Sequence, residues 1–351
     1  MLTVLLTDGE FTGMIRSLRE IPEIRIVGIC FSENAAHTAM LDSSYVAPAW
    51  DSPEYLPFLL DIIKKEHVDI VFPVVTNSLP YMASVAGEIH EKTGALVVTS
   101  PFTAISKAND KAALFSALKS NLETSEYITE YKTASSVSEL CSAVHSFQER
   151  NVHCITKPVT GENKEGFLDI ISDSEWTDRF LAGEASGTSC PAQLEALDKS
   201  LALPTPRLIM PYLPGQEWDV DLLITDGSII SATIRKNHYM FGGLSACTET
   251  ADDMWLLTAC RSIVRVLGLE YLACISFKED ADGKLKLLEI NPRAMGSIHV
   301  SSLGGNSLVK RLIDILTGKD SDHSLRITAP GLKTSLYYDI IPLPLKGDKK
   351  K

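Results

Sequence analysis

The chain has 351 residues, of which 45% are hydrophobic and 22% are charged. This composition is ordinary for a soluble globular protein and excludes a disordered chain, a collagen and a small disulfide-stabilised domain, while the length indicates two or three packed domains. The formal charge is −12, and because an acidic chain repels phosphate backbones we expect no nucleic acid partner.

The seven cysteines include no Cys-x-x-Cys pair and have mostly apolar neighbours, which is typical of reduced thiols in a cytoplasmic protein. The start of the chain, MLTVLLTDGE, lacks the basic residues of a secretory signal. No apolar run approaches the ~20 residues of a membrane-spanning helix. We therefore expect a cytoplasmic protein without a membrane partner.

The first hundred residues alternate short apolar runs with amphipathic segments. Strands are predicted at 2–6, 24–29, 69–75 and 95–98, and helices at 55–65 and 84–92. Strands that alternate with helices are typical of a parallel sheet covered on both faces. We predict an α/β domain over residues 1–105.

The pattern changes beyond residue 105. One helix is predicted from Ile105 to Leu118, then short strands at 127–133, 152–158 and 167–171 with a helix over 137–150. The stretch 183–206 carries Gly, Ser, Thr and Pro and predicts an irregular connection. We predict a linker helix and a small α+β subdomain over residues 106–206.

A third region begins near Arg207. Its apolar runs predict strands at 208–213, 218–225, 229–235, 272–277 and 285–290, and helices at 252–267 and 308–316. Asp226-Gly227 and Asp282-Gly283 are hairpin signals between such strands. We predict a larger core domain over residues 207–318, followed by a C-terminal segment and tail over 319–351.

Two glycine-containing segments can be compared with phosphate-binding loops. The segment Gly9-Glu-Phe-Thr-Gly13 has one glycine fewer than the Gly-x-Gly-x-x-Gly of dinucleotide sites, and Glu10 stands where a phosphate would lie, so it is interpreted as a strand–helix turn. The segment GENKEG at 161–166 has the outline of a P-loop. It continues with Phe167-Leu168 in place of Lys and Ser/Thr, which excludes a mononucleotide P-loop.

Lys157 lies in the apolar run HCITKPV. An isolated ammonium costs several kcal/mol in a dry interior. The side chain therefore either reaches the surface or faces an anion in a cleft, and both interpretations stay open. The loop at 161–166 favours the anion, because backbone N–H groups in such loops cradle phosphate.

The segment Leu287-Leu-Glu-Ile-Asn-Pro-Arg293 is the most specific motif in the chain. Glu289 and Asn291 are two positions apart on a predicted strand and so project from one face. Their carboxylate and amide oxygens suit a Mg²⁺ ion that bridges phosphates. Arg293 presents a planar guanidinium to a phosphoryl or carboxylate oxygen.

Taken in chain order, these motifs resemble the ATP-grasp superfamily, and within it the large subunit of carbamoyl-phosphate synthase and related carboxylate–amine ligases. The likeness spans residues 1 to about 318 and rests on Asp110-Lys111, Lys157-Pro158, loop 161–166, Pro214-Gly215-x-Glu217 and Glu289-x-Asn291-Pro-Arg293. It implies an ATP-grasp fold of α/β class with an α+β lid, preceded by a parallel-sheet pre-ATP-grasp domain. ATP would be clamped between lid and core.

The resemblance also implies an ATP site. Lys111 and Lys157 would contact the phosphates, the loop from Gly161 to Gly166 would close over the β- and γ-phosphates, Met210, Tyr212 and Leu213 would lie beside adenine, and Glu217 would accept from the ribose hydroxyls. The metal would be Mg²⁺, with Mn²⁺ as a substitute, held by Glu289 and Asn291. Arg235 would neutralise phosphate, while Arg293, Gly296 and Ser297 would stabilise the acyl-phosphate and the attacked carboxylate.

Two positions depart from the family pattern. Most members have an acid, or sometimes Gln, where this chain has Ser276, so this residue is a weak metal ligand, unless Glu279 or Asp280 takes its place. Where members often have an acid at the hinge, this chain has Met210, followed by Pro211, which lacks an N–H.

The function implied by the resemblance is that of an ATP-dependent ligase forming a C–N bond. It would activate a small carboxylate as an acyl-phosphate and join it to an amine, releasing ADP and phosphate; a homodimer is left open. One alternative is an ATP-binding regulatory protein of the same fold that has lost turnover, for which Ser276 is the support. A second alternative, a dinucleotide oxidoreductase, is disfavoured by the incomplete glycine pattern.

Overall fold

A computed structural model of the protein describes residues 1–7, 12–32, 34–161, 165–241, 244–337 and 339–343. The turn predicted around Gly9 and Glu10, the middle of the 161–166 loop and the tail beyond residue 343 lie outside the described residues. The described chain forms three sheets in succession along the sequence.

The first sheet is parallel, as the alternation of strands and helices predicted. Its strands are β1 (Leu2–Thr7), β2 (Ile24–Cys30), β3 (Ser43–Val46), β4 (Ile70–Pro73) and β5 (Leu96–Val97), and its helices are α1 (Thr12–Arg19), α2 (Tyr55–Glu66) and α3 (Leu79–Thr93). The strand order is β3-β2-β1-β4-β5, and all pairs are parallel. One face of this sheet packs against α2 and α3, and the other packs against α1.

The helix predicted from Ile105 to Leu118 is two helices, α4 (Phe102–Asn109) and α5 (Lys111–Lys119). Asp110 between them has extended backbone angles, φ −107° and ψ 106°, and its carboxylate accepts hydrogen bonds from the N–H groups of Ala112 and Ala113. Aspartate is a favoured N-cap because it satisfies N–H groups that have no partner within the helix. The prediction of a single helix was therefore wrong at this residue.

The second sheet is small and mixed. Its elements are β6 (Lys132–Ser136), α6 (Val137–Gln148), β7 (Cys154–Pro158), β8 (Leu168–Ile170), α7 (Asp173–Ala182), β9 (Thr188–Ser189), α8 (Pro191–Glu195) and β10 (Ala202–Pro211). The order is β6-β10-β7-β8-β9, so β10 belongs to this sheet although residues from 207 were predicted in the core.

Two predictions in this region were wrong in part. The strand expected from residue 127 starts only at Lys132, because Ser125–Tyr127 forms a short 3-10 turn. The stretch 183–206 contains β9, α8 and the first half of β10, so it is not wholly irregular. The sequence reasoning had no element at α7, whose residues are all at least partly exposed. The domain boundaries at residues 105, 206 and 318 stay predictions.

The third sheet is the largest and is mostly antiparallel. It contains β11 (Glu217–Thr225), β12 (Ser228–Phe241), β13 (Leu244–Ala251), β14 (Tyr271–Glu279), β15 (Leu285–Asn291), β16 (Arg326–Ile327) and β17 (Lys333–Ser335), with α9 (Met254–Leu267), α10 (His299–Leu303) and α11 (Leu308–Leu316) around it. The order is β15-β14-β11-β12-β13-β17, and β16 pairs with β12. The predicted turn at Asp226-Gly227 is confirmed, with both residues at positive φ (50° and 70°), as a two-residue hairpin of this type requires.

The two faces of the third sheet differ in chemistry. On β11, Val220 and Leu222 point to the face covered by α9, where they join the largest hydrophobic core. The alternate residues Glu217, Asp219 and Asp221 point to the other face, because successive side chains of a strand lie on opposite sides. This polar face borders the candidate site.

All seven cysteines are free thiols, and six of them are buried. Among the helices of the described chain, none combines the length and the apolar character needed to cross a membrane.

Candidate active site

A cavity of about 740 Å³ lies between the second sheet, the polar face of the third sheet and the N-terminal end of α1. Thirteen of the predicted site residues line it: Lys111, Lys157, Gly161, Met210, Tyr212, Leu213, Glu217, Ser276, Glu289, Asn291, Arg293, Gly296 and Ser297. Gly166 and Arg235 are absent from the described lining.

Lys157 faces this cavity from β7. Its side chain is half-buried, and its Nζ donates a hydrogen bond to the backbone oxygen of Leu288 at 2.9 Å. Burial lowers the pKa of Lys157 to about 8, although the negative charge of Glu289 opposes the shift. The side chain is thus neither exposed nor sequestered in an apolar core, and of the two interpretations of the sequence the structure supports the cleft.

Lys111 is a second cation in the cavity wall. It begins α5, is 8% exposed, and its Nζ donates to the backbone oxygen of Gly161 at 2.9 Å. Gly161 and Gly166 both have positive φ (112° and 65°), which a residue with a side chain rarely adopts. The ends of the predicted phosphate loop therefore need glycine, and Lys111 is bonded to one of them.

Glu289 and Asn291 line the cavity at the end of β15. The Asn291 amide nitrogen donates to Oε1 of Glu289 at 3.3 Å. The two side chains lie on one face and contact each other, as their spacing of two predicted. Among the described residues, no three or more His, Cys, Asp or Glu side chains are grouped as a metal site. A cation here would have one carboxylate and neutral oxygens as protein ligands.

Ser276 and Asp219 lie beside Glu289 in the same sheet. Ser276 is paired with Asp219 on β11 and with Glu289 on β15, and its Oγ donates to Oδ1 of Asp219 at 2.6 Å. Burial would raise the pKa of Asp219, but Arg235 and the hydrogen bonds from Ser276, Asn237 and Ser245 lower it below the usual range. The sequence reasoning missed Asp219, although its spacing of two from Glu217 places both on one face.

Glu279 and Asp280 do not take the place of Ser276. Glu279 accepts a hydrogen bond from the Trp218 indole nitrogen at 3.1 Å. Asp280 accepts from the backbone N–H groups of Asp282 and Lys284 in the following turn. Neither residue is part of the described cavity lining.

Arg235 lies within the sheet and not on the cavity wall. It is fully buried, its Nε donates to Oδ2 of Asp221 at 2.8 Å, and its Nη1 lies 3.4 Å from Oδ2 of Asp219. These two carboxylates raise the pKa of Arg235 above its usual value despite burial, which acts in the opposite direction. The structure therefore does not place Arg235 where it could contact a phosphate in the cavity, because its guanidinium is paired with the two buried carboxylates.

Met210, Tyr212 and Leu213 line the cavity where β10 ends and the chain crosses to the third sheet. The Tyr212 N–H donates to the backbone oxygen of His153 at 2.8 Å, and the two rings stack with centroids 4.7 Å apart. Glu217 follows at the start of β11, with Oε2 4.0 Å from the Nζ of Lys278. Lys278 also lines the cavity and was missed, although it is two positions from Ser276 on the same strand.

Arg293 is 6% exposed and is held where the first and third sheets meet. Its Nε donates to Oγ1 of Thr76 at 2.9 Å, and its Nη1 donates to the backbone oxygen of Ala294 at 3.0 Å. Nearby, Gly13 on α1 contacts Gly296 so closely that a Cβ at Gly13 would lie 2.1 Å from the Gly296 oxygen. Gly13 therefore serves the close approach of α1 to the segment that carries Arg293, Gly296 and Ser297.

Two family models match the chain. Residues 204–334 match the family described as "ATP-grasp in the biosynthetic pathway with Ter operon". Residues 11–98 match the family described as "PylC-like, N-terminal domain". We found no match among curated proteins.

Solved structures resemble more than nine tenths of the chain. An N5-carboxyaminoimidazole synthetase from Staphylococcus aureus complexed with ADP has a TM-score of 0.68 at 16% identity, covering 94% of this chain and 80% of that chain. A biotin carboxylase–β,γ-ATP complex from Campylobacter jejuni has a TM-score of 0.64 at 15% identity, covering 91% and 72%. An L-amino acid ligase from Bacillus licheniformis has a TM-score of 0.64 at 13% identity, covering 93% and 77%.

At these identities the structural likeness shows the fold alone, and the family models show the same fold in the sequence. The predicted parallel-sheet domain followed by an ATP-grasp fold is thereby confirmed. Residues 204–334 thus match an ATP-grasp family, and the chain has the fold of ATP-grasp proteins with a PylC-like N-terminal domain.

Proposed function

We propose that the protein is an ATP-dependent ligase that activates a carboxylate as an acyl-phosphate and joins it to an amine, with release of ADP and phosphate. The observation that carries the proposal is that Lys111 and Lys157 line the same cavity as Glu289 and Asn291. Cations and oxygen ligands that line one cavity suit a Mg²⁺-bound triphosphate.

ATP would enter with adenine against Met210, Tyr212 and Leu213. Because the Tyr212 N–H is bonded to His153, adenine would contact neighbouring backbone groups. Glu217 would accept from the ribose hydroxyls, and the phosphates would extend towards Lys111 and Lys157. The ADP and β,γ-ATP named for structures of the same fold support this class of ligand.

The donor set fits Mg²⁺. Glu289 supplies a carboxylate, and Asn291, whose amide nitrogen is used on Glu289, supplies its carbonyl oxygen. Mg²⁺ commonly takes one or two carboxylates and completes its shell with waters and phosphates. The ion, for which Mn²⁺ is a substitute, would neutralise phosphate charge and hold the γ-phosphoryl group in line with its acceptor.

Arg293 would bind the carboxylate substrate and the acyl-phosphate formed from it, together with backbone groups at Gly296 and Ser297. Its bonds to Thr76 and Ala294 fix the guanidinium before any substrate arrives. Such preorganised charge lowers the barrier because two anions must approach within bonding distance. The amine would then attack the acyl carbon and displace phosphate.

The test is ADP release by the purified protein with Mg-ATP and pooled carboxylates and amines, deconvoluted to single pairs. A carboxylate labelled with ¹⁸O should transfer one label to the released phosphate, because the carboxylate oxygen that attacks the γ-phosphorus leaves with it. ADP release with unlabelled phosphate would contradict the acyl-phosphate.

The second candidate, an ATP-binding regulatory protein of the same fold, is favoured by Ser276 in place of an acid. It predicts nucleotide binding in the presence of Mg²⁺ with no ADP release from any pair in the same screen.

A further inference from the structure

Three strands of the third sheet place one row of oxygen-bearing side chains along the cavity floor. Asp219 on β11 is the direct partner of Ser276 on β14, and Ser276 is the direct partner of Glu289 on β15. Directly paired residues of antiparallel strands project from the same face. Ser276 therefore lies between two carboxylates, and all three residues line the cavity.

Asp219 is fixed by donors from three directions. Its Oδ1 accepts from Ser276, its Oδ2 accepts from Asn237 and Ser245 at 2.9 Å each, and the Arg235 guanidinium lies on the same oxygen side. A carboxylate surrounded by donors is an acceptor only. In the contact between Asp219 and Ser276, the proton must therefore belong to Ser276.

The Ser276 hydroxyl has one proton, and Asp219 takes it. The oxygen then presents only lone pairs to the cavity. Lone pairs repel a phosphate oxygen and attract a cation. A hydrogen bond to a carboxylate also increases the electron density on the hydroxyl oxygen, as ligands of metal ions are tuned by the groups behind them.

The local charge balance favours a cation as well. Arg235 carries one positive charge against the two negative charges of Asp219 and Asp221, so the buried cluster keeps one negative charge directly behind Ser276. In this chain the acid is thus not lost from the neighbourhood of Ser276. It stands one strand further from Glu289, in the same row.

We propose that Ser276 is a ligand of the nucleotide-bound divalent cation and that Asp219 is a positioning residue that turns the Ser276 oxygen towards the cation and supplies the missing negative charge. This inference rests on the proposed function, because the cation is the one that accompanies ATP. Asp219 acts chiefly through Ser276, because its Oδ1 holds the Ser276 hydroxyl proton.

The experiment measures Mn²⁺ affinity by electron paramagnetic resonance on the full chain saturated with ADP, without turnover. Ser276→Ala and Asp219→Asn are each expected to weaken Mn²⁺ binding about tenfold, as for loss of a group that supports a metal ligand. The double variant should be weakened much less than the product of the two single effects, because Asp219 acts chiefly through the Ser276 oxygen. Ser276→Thr, which keeps the hydroxyl, should restore most of the affinity.

The matched control is Ser231→Ala on β12. Ser231 is a fully buried hydroxyl of the same sheet whose Oγ donates to Asn306 at 3.1 Å, away from the cavity lining. It should leave Mn²⁺ affinity unchanged. Thermal unfolding of each variant separates a loss of folding from a loss of metal binding. If Asp219→Asn fails to fold, the Mn²⁺ affinities of Ser276→Ala and Ser276→Thr still test whether Ser276 is a ligand of the cation.

The outcomes separate this inference from the proposed function. Absence of Mn²⁺ binding to the wild-type protein with ADP would contradict the proposed function itself. Wild-type binding that Ser276→Ala leaves unchanged would overturn Ser276 as a ligand. Effects of Ser276→Ala and Asp219→Asn that multiply in the double variant would overturn the positioning role of Asp219.

Discussion

The first and third sheets bury their side chains in different ways. On β1, the central residues Val4, Leu5 and Leu6 are apolar on both faces, because helices cover both sides of the sheet, and only threonines are buried beside them. On β11, buried apolar residues alternate with the buried acids Asp219 and Asp221. The first sheet is a scaffold, whereas the third is a scaffold on one face and a charged cavity floor on the other.

The difference shows under which condition the fold accommodates buried polar side chains. Each buried acid of β11 has a hydrogen-bonded partner on a neighbouring strand, Ser276 for Asp219 and Arg235 for Asp221. A buried polar group without such partners costs about 1–3 kcal/mol of folding free energy. The cavity floor therefore depends on a cross-strand network, and the first sheet does not.

The largest effect is expected at Glu289. Glu289→Gln keeps the size of the side chain but removes the carboxylate from the proposed cation site, so turnover should fall by about 10²–10³-fold. ADP release at saturating Mg²⁺ measures the loss, with circular dichroism as evidence of folding. Asp282→Asn, an exposed acid in the turn between β14 and β15, is the control and should keep full activity. Activity retained by Glu289→Gln would remove Glu289 from the site.

The second largest effect is expected on the free energy of unfolding, when the cross-strand network of the third sheet is disrupted. Arg235→Met leaves Asp219 and Asp221 buried without their cation, so the free energy of unfolding should drop by about 3–5 kcal/mol. Urea denaturation measures it. Adding Asp221→Asn should recover part of the loss because one uncompensated charge is removed.

A matched change in the first sheet sharpens the comparison. Leu5→Ala should cost about 2–5 kcal/mol by leaving a cavity, and no polar second change should recover it. If Arg235→Met were as stable as the wild type, the buried ion pairs would not be what holds the polar face, and the contrast between the two sheets would fail.

Nucleotide affinity gives the third effect. Lys157→Met keeps the apolar stem of the side chain but removes the ammonium, so the dissociation constant for Mg-ATP should rise by about 100-fold. Calorimetry measures it. Lys286→Met is the matched control, because Lys286 is on β15 and its Nζ donates to the backbone oxygen of Glu126, away from the cavity. Equal affinities for both variants would remove Lys157 from the phosphate site.

The sequence predicted which side chains share the cavity better than it predicted the connections around them. The pair Glu289 and Asn291 followed from strand periodicity alone, since a spacing of two fixes a shared face. The division of the helix at Asp110 did not follow, because the same apolar spacing runs through both helices and only the cap geometry separates them. The predicted start of a strand at residue 127 was wrong for a similar reason, because a short apolar run does not indicate where a strand begins.

The placement of Arg235 was missed for a different physical reason. An arginine on a strand indicates that an anion lies nearby. The sequence alone does not distinguish a substrate anion from a buried carboxylate. The answer came from register: Arg235 is the direct partner of Asp219 and projects beside Asp221. A motif thus identified the residues at the end of β15, while cross-strand register decided which charges remain for the ligand.

The smallest effect expected is on pH dependence. In the protein without ligand the pKa of Lys157 is about 8, lowered by burial. A bound triphosphate favours the protonated ammonium and raises this pKa, so binding takes up a proton above pH 8 and affinity falls as pH rises. The dissociation constant should increase roughly fivefold from pH 8 to pH 9, because protonation of the unliganded protein falls from a half to about a tenth. Lys157→Arg, which stays charged, should show no such step. A wild-type affinity that is flat from pH 7 to about 9 would mean that the Lys157 ammonium does not contact phosphate, and of the two lysines proposed to bind phosphate only Lys111 would remain.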